Sequence, residues 1–184
     1  MKFIFSIVFF LVMSIVIQSC GDDDVIPISE LSGEWKAQTL EGTIRTESTF
    51  SGSSIISNST VTGANMNYYL TLTMSDNKFT AQGSYDIELA TTAQGSTLSV
   101  TDSYPNLSGS GAYNSTDSEI TLDASIYDIS LNGMILEVTG GNIPATYSIT
   151  NNILTVTEVR QEEMDNGTIS SFTDINMVST WNRQ

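Results

Sequence analysis

The chain offers few side chains that support covalent or metal chemistry. It has no histidine and a single cysteine, Cys20, which removes most nucleophile–base pairs and most zinc sites. Carboxylates, hydroxyls and tyrosines remain. A pair of carboxylates is enough for glycoside hydrolysis, but nothing in the sequence singles out two of the 21 acidic residues. We therefore expect a protein that is not an enzyme, with no catalytic residue and no cofactor. The alternative is a glycoside hydrolase that uses carboxylates alone.

The most concentrated set of hard oxygen ligands lies near the end of the chain. Asp165-Asn166-Gly167 follows Glu162 and Glu163, and calcium binds to carboxylate and carbonyl oxygens. The segment lacks the ligand spacing of a calcium loop, whereas Asp-Asn-Gly is an ordinary turn sequence. The sequence therefore predicts a turn here and no metal site.

Cys20 stands at the end of an apolar segment. Residues 1–19 contain one basic residue, Lys2, and a long apolar run, which is typical of a secretory signal peptide. The run is slightly short for a membrane-spanning helix, and acidic rather than basic residues follow it. We expect residues 1–19 to be removed.

The residues around Cys20 resemble a bacterial lipoprotein signal. Ile17-Gln18-Ser19-Cys20 is similar to a lipobox, which implies that Cys20 is lipidated, and two or three acyl chains anchor a protein stably. Asp22-Asp23-Asp24 resembles the acidic surface-export signal of Bacteroidetes lipoproteins. The resemblance implies an outer-membrane lipoprotein on the cell surface, with residues 20–30 as lipidated N-terminus and acidic tether. The alternative is an acidic spacer in a protein that faces the periplasm.

The charge of the chain limits its partners. Six basic residues stand against 21 acidic ones, giving a net charge of −15. Nucleic acid is excluded, because phosphate binding depends on clustered Lys and Arg. The expected partners are the membrane, through the lipid, and a small hydrophobic ligand or a glycan. We expect a monomer.

Residues 31–184 show the alternation of β-strands and no long helical stripe. One hairpin is clearest, with Met66 to Met74 and Phe79 to Leu89 each carrying one apolar face. A second is predicted from 145–150 and 153–160 around Asn151-Asn152. Further strands are predicted at 31–40, with Trp35, Ala37 and Thr39 on one side, and at 97–102, 109–113, 119–124 and 168–182. Residues 42–63 suit a strand with a long loop or an irregular hairpin. Residues 126–141 fit either a strand with an irregular crossing or a short helix.

Many short antiparallel strands predict a closed or nearly closed sheet. The expected fold is all-β, an up-and-down barrel of about 8–10 strands that occupies residues 31–184 as one domain. The alternative is a β-sandwich.

The two ends of this domain resemble the lipocalin-like pattern. Gly33-Glu34-Trp35 opens the first strand, and Trp181 and Arg183 end the last. The resemblance implies that Trp35 lies across the barrel floor and that Arg183 packs over it, so Gly33, Trp35 and Arg183 close the barrel. The second lipocalin motif, a disulfide and a helix after the barrel are not recognisable.

The resemblance also implies a ligand site at the barrel mouth, since eight-stranded barrels hold one small molecule. The candidate lining residues are Met66, Tyr68, Met74, Phe79 and Tyr85, and the alternative is that they fill the core. A second hypothesis is a cell-surface module that contacts glycan or protein through Ser/Thr/Asn-rich loops. In that hypothesis exposed Tyr69, Tyr104 and Tyr127 stack on sugars.

Overall fold

The computed structural model describes residues 30–131, 134–138, 141–165 and 167–184. The predicted signal peptide, Cys20 and the tether up to residue 29 lie outside these ranges. Ten strands are present in the described residues: β1 Gly33–Phe50, β2 Ser53–Thr73, β3 Lys78–Ala93, β4 Ser96–Ser115, β5 Glu119–Leu122, β6 Tyr127–Leu131, β7 Met134–Val138, β8 Pro144–Thr150, β9 Ile153–Asp165 and β10 Ile169–Arg183.

Eight of these strands form one closed antiparallel barrel. Their order around the ring is β1-β10-β9-β8-β5-β4-β3-β2, and β2 pairs with β1 to complete it. The predicted all-β, up-and-down barrel is confirmed, and the β-sandwich alternative is wrong. Strands β6 and β7 pair only with each other, and they lie in the connection between β5 and β8.

All eight strands close the barrel at one end. At the other end the barrel has a gap in its wall, because β5 and β8 are short and do not reach that level. β5 pairs with β4 only at Tyr113–Ser115, and β8 pairs with β9 only up to Thr157. Beyond these pairs the other six strands continue as a sheet in the order β9-β10-β1-β2-β3-β4. We call the part with eight strands the closed half and the six-stranded extension the open half.

The closed half contains most of the apolar core. Alternate residues of each strand point inward, and most of the predicted apolar faces of β2 and β3 are buried, including Tyr68 and Ile87, as is Trp181 of β10. One predicted inward residue, Thr39, is exposed. The register of β1 against β10 shifts between Ala37 and Thr39, so Leu40 takes the inward place instead. A β-bulge of this kind changes the face on which the following side chains lie.

The long loop predicted within residues 42–63 is absent, and that interpretation is wrong. β1 continues to Phe50 and β2 begins at Ser53 after a tight turn, in which Ser51 and Gly52 both have positive φ. The Ser and Thr residues of this segment sit in a regular ladder. Their hydroxyls bond across neighbouring strands, as between Ser59 and Thr91 at 2.8 Å, and such pairs stabilise a sheet.

Three other segments differ from the expectation. The strands predicted at 97–102 and 109–113 are parts of one strand, β4. Between them the register of β3 against β4 shifts beside Pro105, and Asn106 has a φ of 56°. Residues 160–164 continue β9 instead of turning. The undecided segment 126–141 contains the hairpin β6–β7. In the part of the chain that the structure describes, no helix is long and apolar enough to span a membrane.

Candidate ligand-binding surface

The end of the barrel near Trp35 is sealed. The Trp35 side chain is fully buried, and its indole Nε1 donates a hydrogen bond to the carbonyl oxygen of Leu31 at 2.9 Å. Arg183 stands opposite Trp35 in the β1–β10 ladder, with its guanidinium carbon 4.6 Å from the indole ring centroid. The Arg183 guanidinium also donates to the carbonyl of Glu30. The predicted packing of Arg183 over Trp35 is therefore present.

Gly33 belongs to the same seal. Its φ is +138°, a backbone conformation that side chains disfavour, and a Cβ there would lie 3.8 Å from Nη1 of Arg183. The glycine lets β1 begin beside the arginine.

An aromatic cluster of Tyr68, Tyr85, Tyr127 and Trp181 fills the interior above this seal. The Tyr127 ring centroid lies 5.7 Å from that of Tyr68, 5.2 Å from that of Tyr85 and 5.6 Å from that of Trp181. Tyr127 begins β6, so the connection between β5 and β8 supplies the central ring of the cluster. The prediction that Tyr127 is an exposed sugar-stacking residue is wrong, because its side chain is completely buried.

Hydrogen bonds fix this connection to the barrel wall. The Tyr68 hydroxyl donates to the carbonyl of Ile126 at 2.8 Å, and the backbone N–H of Asp128 donates to the Tyr85 hydroxyl at 3.1 Å. Among the residues that the structure describes, none is a hydrogen-bond partner of the Tyr127 hydroxyl. Burial raises the pKa of Tyr68, Tyr85 and Tyr127 above the ordinary value, so all three are neutral at physiological pH.

The structure does not bring the five predicted lining residues together at a mouth. Tyr68 and Tyr85 belong to the aromatic cluster, and Met66 packs against the core from a half-buried position. Phe79 pairs with Leu72, which pairs with Gly33, so Phe79 is buried near the sealed end. Met74 is exposed just beyond the end of β2.

The other two predicted sugar-stacking tyrosines are not exposed platforms either. Tyr69 is half-buried, with Nζ of Lys36 5.6 Å from its ring centroid. Tyr104 is half-buried, and its ring centroid lies 5.0 Å from that of Tyr85. The prediction of exposure is wrong for both, because each side chain packs beside another strand.

The inner face of the open half carries an apolar surface that sequence reasoning missed. Residues opposite one another in neighbouring strands share a face, and the register places six large apolar side chains on the inner side: Phe50, Ile55, Leu98, Val100, Met164 and Ile169. Each is between 37% and 66% exposed. We call this set the open-half apolar surface. Leu98 and Val100 lie on the inner side but are exposed, because no strand of the described residues neighbours β4 on its far side at that level.

Charged residues border this surface along β9. Glu158, Arg160 and Glu162 alternate along the strand and therefore share its inner face. The Arg160 guanidinium lies 3.1 Å from a carboxylate oxygen of Glu158 and 3.1 Å from one of Glu162. Across the sheet, Asp102 of β4 pairs with buried Ile87 and is on the same side. These four residues add up to a net negative charge.

Grooves of about 460, 510 and 500 Å³ lie on the outer face of the open half in the described residues. They are lined mainly by outward-pointing residues of β1, β2, β9 and β10, among them Thr43, Glu47 and Asn176. None of the three is lined by the aromatic cluster. Within the described ranges no group of three or more His, Cys, Asp or Glu side chains is placed to hold a metal ion.

Comparisons with known proteins add little to this geometry. No protein-family model matches the chain, and no curated protein sequence matches it. One solved structure is similar, "The crystal structure of Ail, the attachment invasion locus protein of Yersinia pestis", at 10% sequence identity over 82% of this chain and 99% of that chain. Its TM-score is 0.18, which is too low for the two folds to be equated. The similarity therefore carries no information on function.

Proposed function

We propose that the protein is a lipid-anchored lipoprotein of the outer membrane, exposed on the cell surface, that binds an amphipathic molecule on the open-half apolar surface. The observation that carries the binding proposal is that six large apolar side chains on the inner side of the open half are exposed. Exposed apolar patches of this kind mark binding sites in soluble domains. The ligand site thus moves from the barrel interior, where the aromatic cluster lies, to the open half.

The position of Glu30, where the proposed tether joins the barrel, supports this arrangement. Glu30 and Gln184 both lie at the sealed end, since Arg183 bonds to the carbonyl of Glu30 and the N–H of Gln184 donates to the carbonyl of Glu34 at 2.9 Å. A tether from Cys20 enters the barrel there. The open half then points away from the anchoring membrane and toward whatever the protein meets.

The charge of the surface favours one class of head group. The inner face combines an apolar area with the carboxylates of Glu158, Glu162 and Asp102 and one guanidinium, that of Arg160. A carboxylate or phosphate head group would add a like charge to this set, which costs free energy. A neutral or cationic head group avoids that cost. We expect an apolar chain with a neutral or cationic end.

Binding is tested with three twelve-carbon probes: dodecylamine, monolaurin and laurate. Native mass spectrometry of the full chain released from detergent should show adducts with the first two and much weaker binding of laurate. Ile55→Asp should weaken the binding of monolaurin at least about tenfold, because it places a charge in the apolar surface.

The matched control is Ile56→Asp. Ile56 is the next residue of β2 and is similarly exposed, at 43% against 49% for Ile55, but it points to the outer face. It should leave binding unchanged. Equal losses in the two variants, or no adduct with the unsubstituted chain, would show that the open half is not the ligand site.

A further inference from the structure

Among the described residues, the open half ends in two strand edges without a neighbouring strand, and the two edges differ in character. β9 beyond Thr157 carries Glu158, Arg160, Glu162, Glu163 and Asp165, and charges on an edge strand prevent pairing with other chains. The edge of β4 from Ser96 to Thr101 has no charged residue and no proline, and all six residues are exposed. Natural proteins rarely leave an uncharged edge bare unless it is used.

The hairpin turn determines which backbone groups of β4 are free. Gln94 and Gly95 both have positive φ, as in a type I′ turn, and Ala93 pairs with Ser96 across it. Hydrogen-bonded and non-hydrogen-bonded pairs alternate along such a ladder. Ser96, Leu98 and Val100 therefore bond to β3. The N–H and C=O groups of Thr97, Ser99 and Thr101 point to the free side.

The free segment is also symmetric about Ser99, since it reads Thr97-Leu98-Ser99-Val100-Thr101. If two copies lie antiparallel with Ser99 opposite Ser99, Leu98 stands opposite Val100 and Thr97 opposite Thr101, twice each. The exposed apolar side chains then pair with each other, and the backbone groups of three residues per copy become bonded. A twofold interface needs this kind of self-complementary pattern.

From the bare edge and its symmetric sequence, we infer that β4 binds a second copy of this chain by antiparallel pairing centred on Ser99. This inference replaces the expectation of a monomer. It does not depend on the ligand, because Leu98 and Val100 remain on the inner face of the joined sheet. The pairing is related to the proposed function through the lipid anchor, because the tether limits how two paired copies can sit on a membrane.

Antiparallel pairing places the two sealed ends at opposite ends of the dimer. Gly111 lies at the sealed end, because it pairs with Phe79, which pairs with Leu72, which pairs with Gly33. The strand from Ser99 to Gly111 is about 40 Å long at roughly 3.3 Å per residue. The sealed ends are then about 80 Å apart, whereas the tether of residues 20–30 spans at most about 40 Å. Upright copies paired in this way are anchored in two facing membranes.

Disulfide trapping tests the register. In full-length Ser99→Cys the two introduced thiols face each other at a Cα separation of about 5.5 Å, within the range of a disulfide. In Thr101→Cys, on the same strand and the same face, the thiols are offset by about 13 Å, so no bond forms. The unsubstituted chain, which contains Cys20, sets the background. We expect at least about tenfold more linked dimer from Ser99→Cys than from Thr101→Cys.

Equal linkage in the two variants, or linkage no greater than that of the unsubstituted chain, would overturn the inference.

Vesicles of phosphatidylcholine that carry the full lipoprotein test the facing-membrane geometry. Two differently labelled populations should cluster with Ser99→Ala, which keeps the backbone N–H, and stay dispersed with Ser99→Pro, which lacks it. Clustering that is the same for both variants contradicts the pairing. Loss of ligand adducts in mass spectrometry would contradict only the proposed function.

Discussion

Arg183 shows how one residue at the end of the chain completes the barrel floor. Its guanidinium covers the Trp35 ring and bonds to the carbonyl of Glu30, so it links the first and last strands to the segment before them. The indole that the guanidinium covers is fully buried. The residue therefore contributes through packing as well as through charge.

Arg183→Ala should lower the free energy of unfolding by about 1–2 kcal/mol, the range of a partly desolvated cation–π contact. Urea unfolding followed by tryptophan fluorescence measures it. Lys36→Ala is the control, since Lys36 lies over the ring of half-buried Tyr69 at a longer distance of 5.6 Å. It should cost less than about 0.5 kcal/mol. Equal costs would mean that the floor does not depend on Arg183.

This contact could be expected from the sequence only through the lipocalin-like resemblance of the two ends of the domain. The open-half apolar surface was not. Phe50 and Ile55 stand among Ser, Thr and Gly, a composition that also suits loops, and only the β1–β2 register puts them on one face. Tyr127 was misplaced for a related reason, since the alternation around it is irregular and its burial depends on residues distant in sequence.

At the scale of elements, Tyr127 is the largest buried side chain described in the connection that contains β6 and β7, beside buried Ile126 and Ile129. The backbone on either side of it bonds to Tyr68 and Tyr85. Loss of the Tyr127 ring removes the central aromatic contact of this connection, so local opening there becomes easier than global unfolding.

Tyr127→Ala should therefore speed backbone hydrogen exchange at residues 126–131 while β1 and β10 stay protected. Large-to-small substitutions of buried aromatic residues cost about 3–5 kcal/mol. Tyr127→Phe is the control and should exchange like the unsubstituted protein, because none of the described residues is a hydrogen-bond partner of the hydroxyl. Uniformly faster exchange through the whole barrel would show that this connection is part of the global core.

The strand pattern was predicted best where alternation is strict, as in β3, and worst where strands are long and polar. A loop and a strand of Ser and Thr have the same composition. They differ in whether neighbouring strands provide backbone partners, as β10 and β2 do for the outer part of β1. Bulges are a second source of error, because a single inserted residue at Ala37–Thr39 reverses the faces of the later residues in β1.

At the scale of the whole molecule, the proposed location is tested on intact cells. Protease treatment should remove the protein from the surface without disrupting the outer membrane. Replacing Asp22, Asp23 and Asp24 by Ala should protect it until that membrane is broken. The control replaces three exposed acidic residues of the barrel by Ala: Glu41, Glu88 and Asp117. This variant loses the same charge, and the protein should remain accessible to protease on intact cells. If the unsubstituted protein is itself protected, the protein faces the periplasm and the three aspartates are a spacer.

The pairing of β1 with β10 has a consequence for how the chain folds. The ladder that closes the ring begins with Trp35 opposite Arg183, so its partners are almost the whole domain apart in sequence. Contacts between distant residues slow folding, because the chain must search for them before they contribute. Hairpins such as β2–β3 form locally and early. The floor over Trp35 is then completed only after β10 is available, so the strands that form first cannot close the ring by themselves.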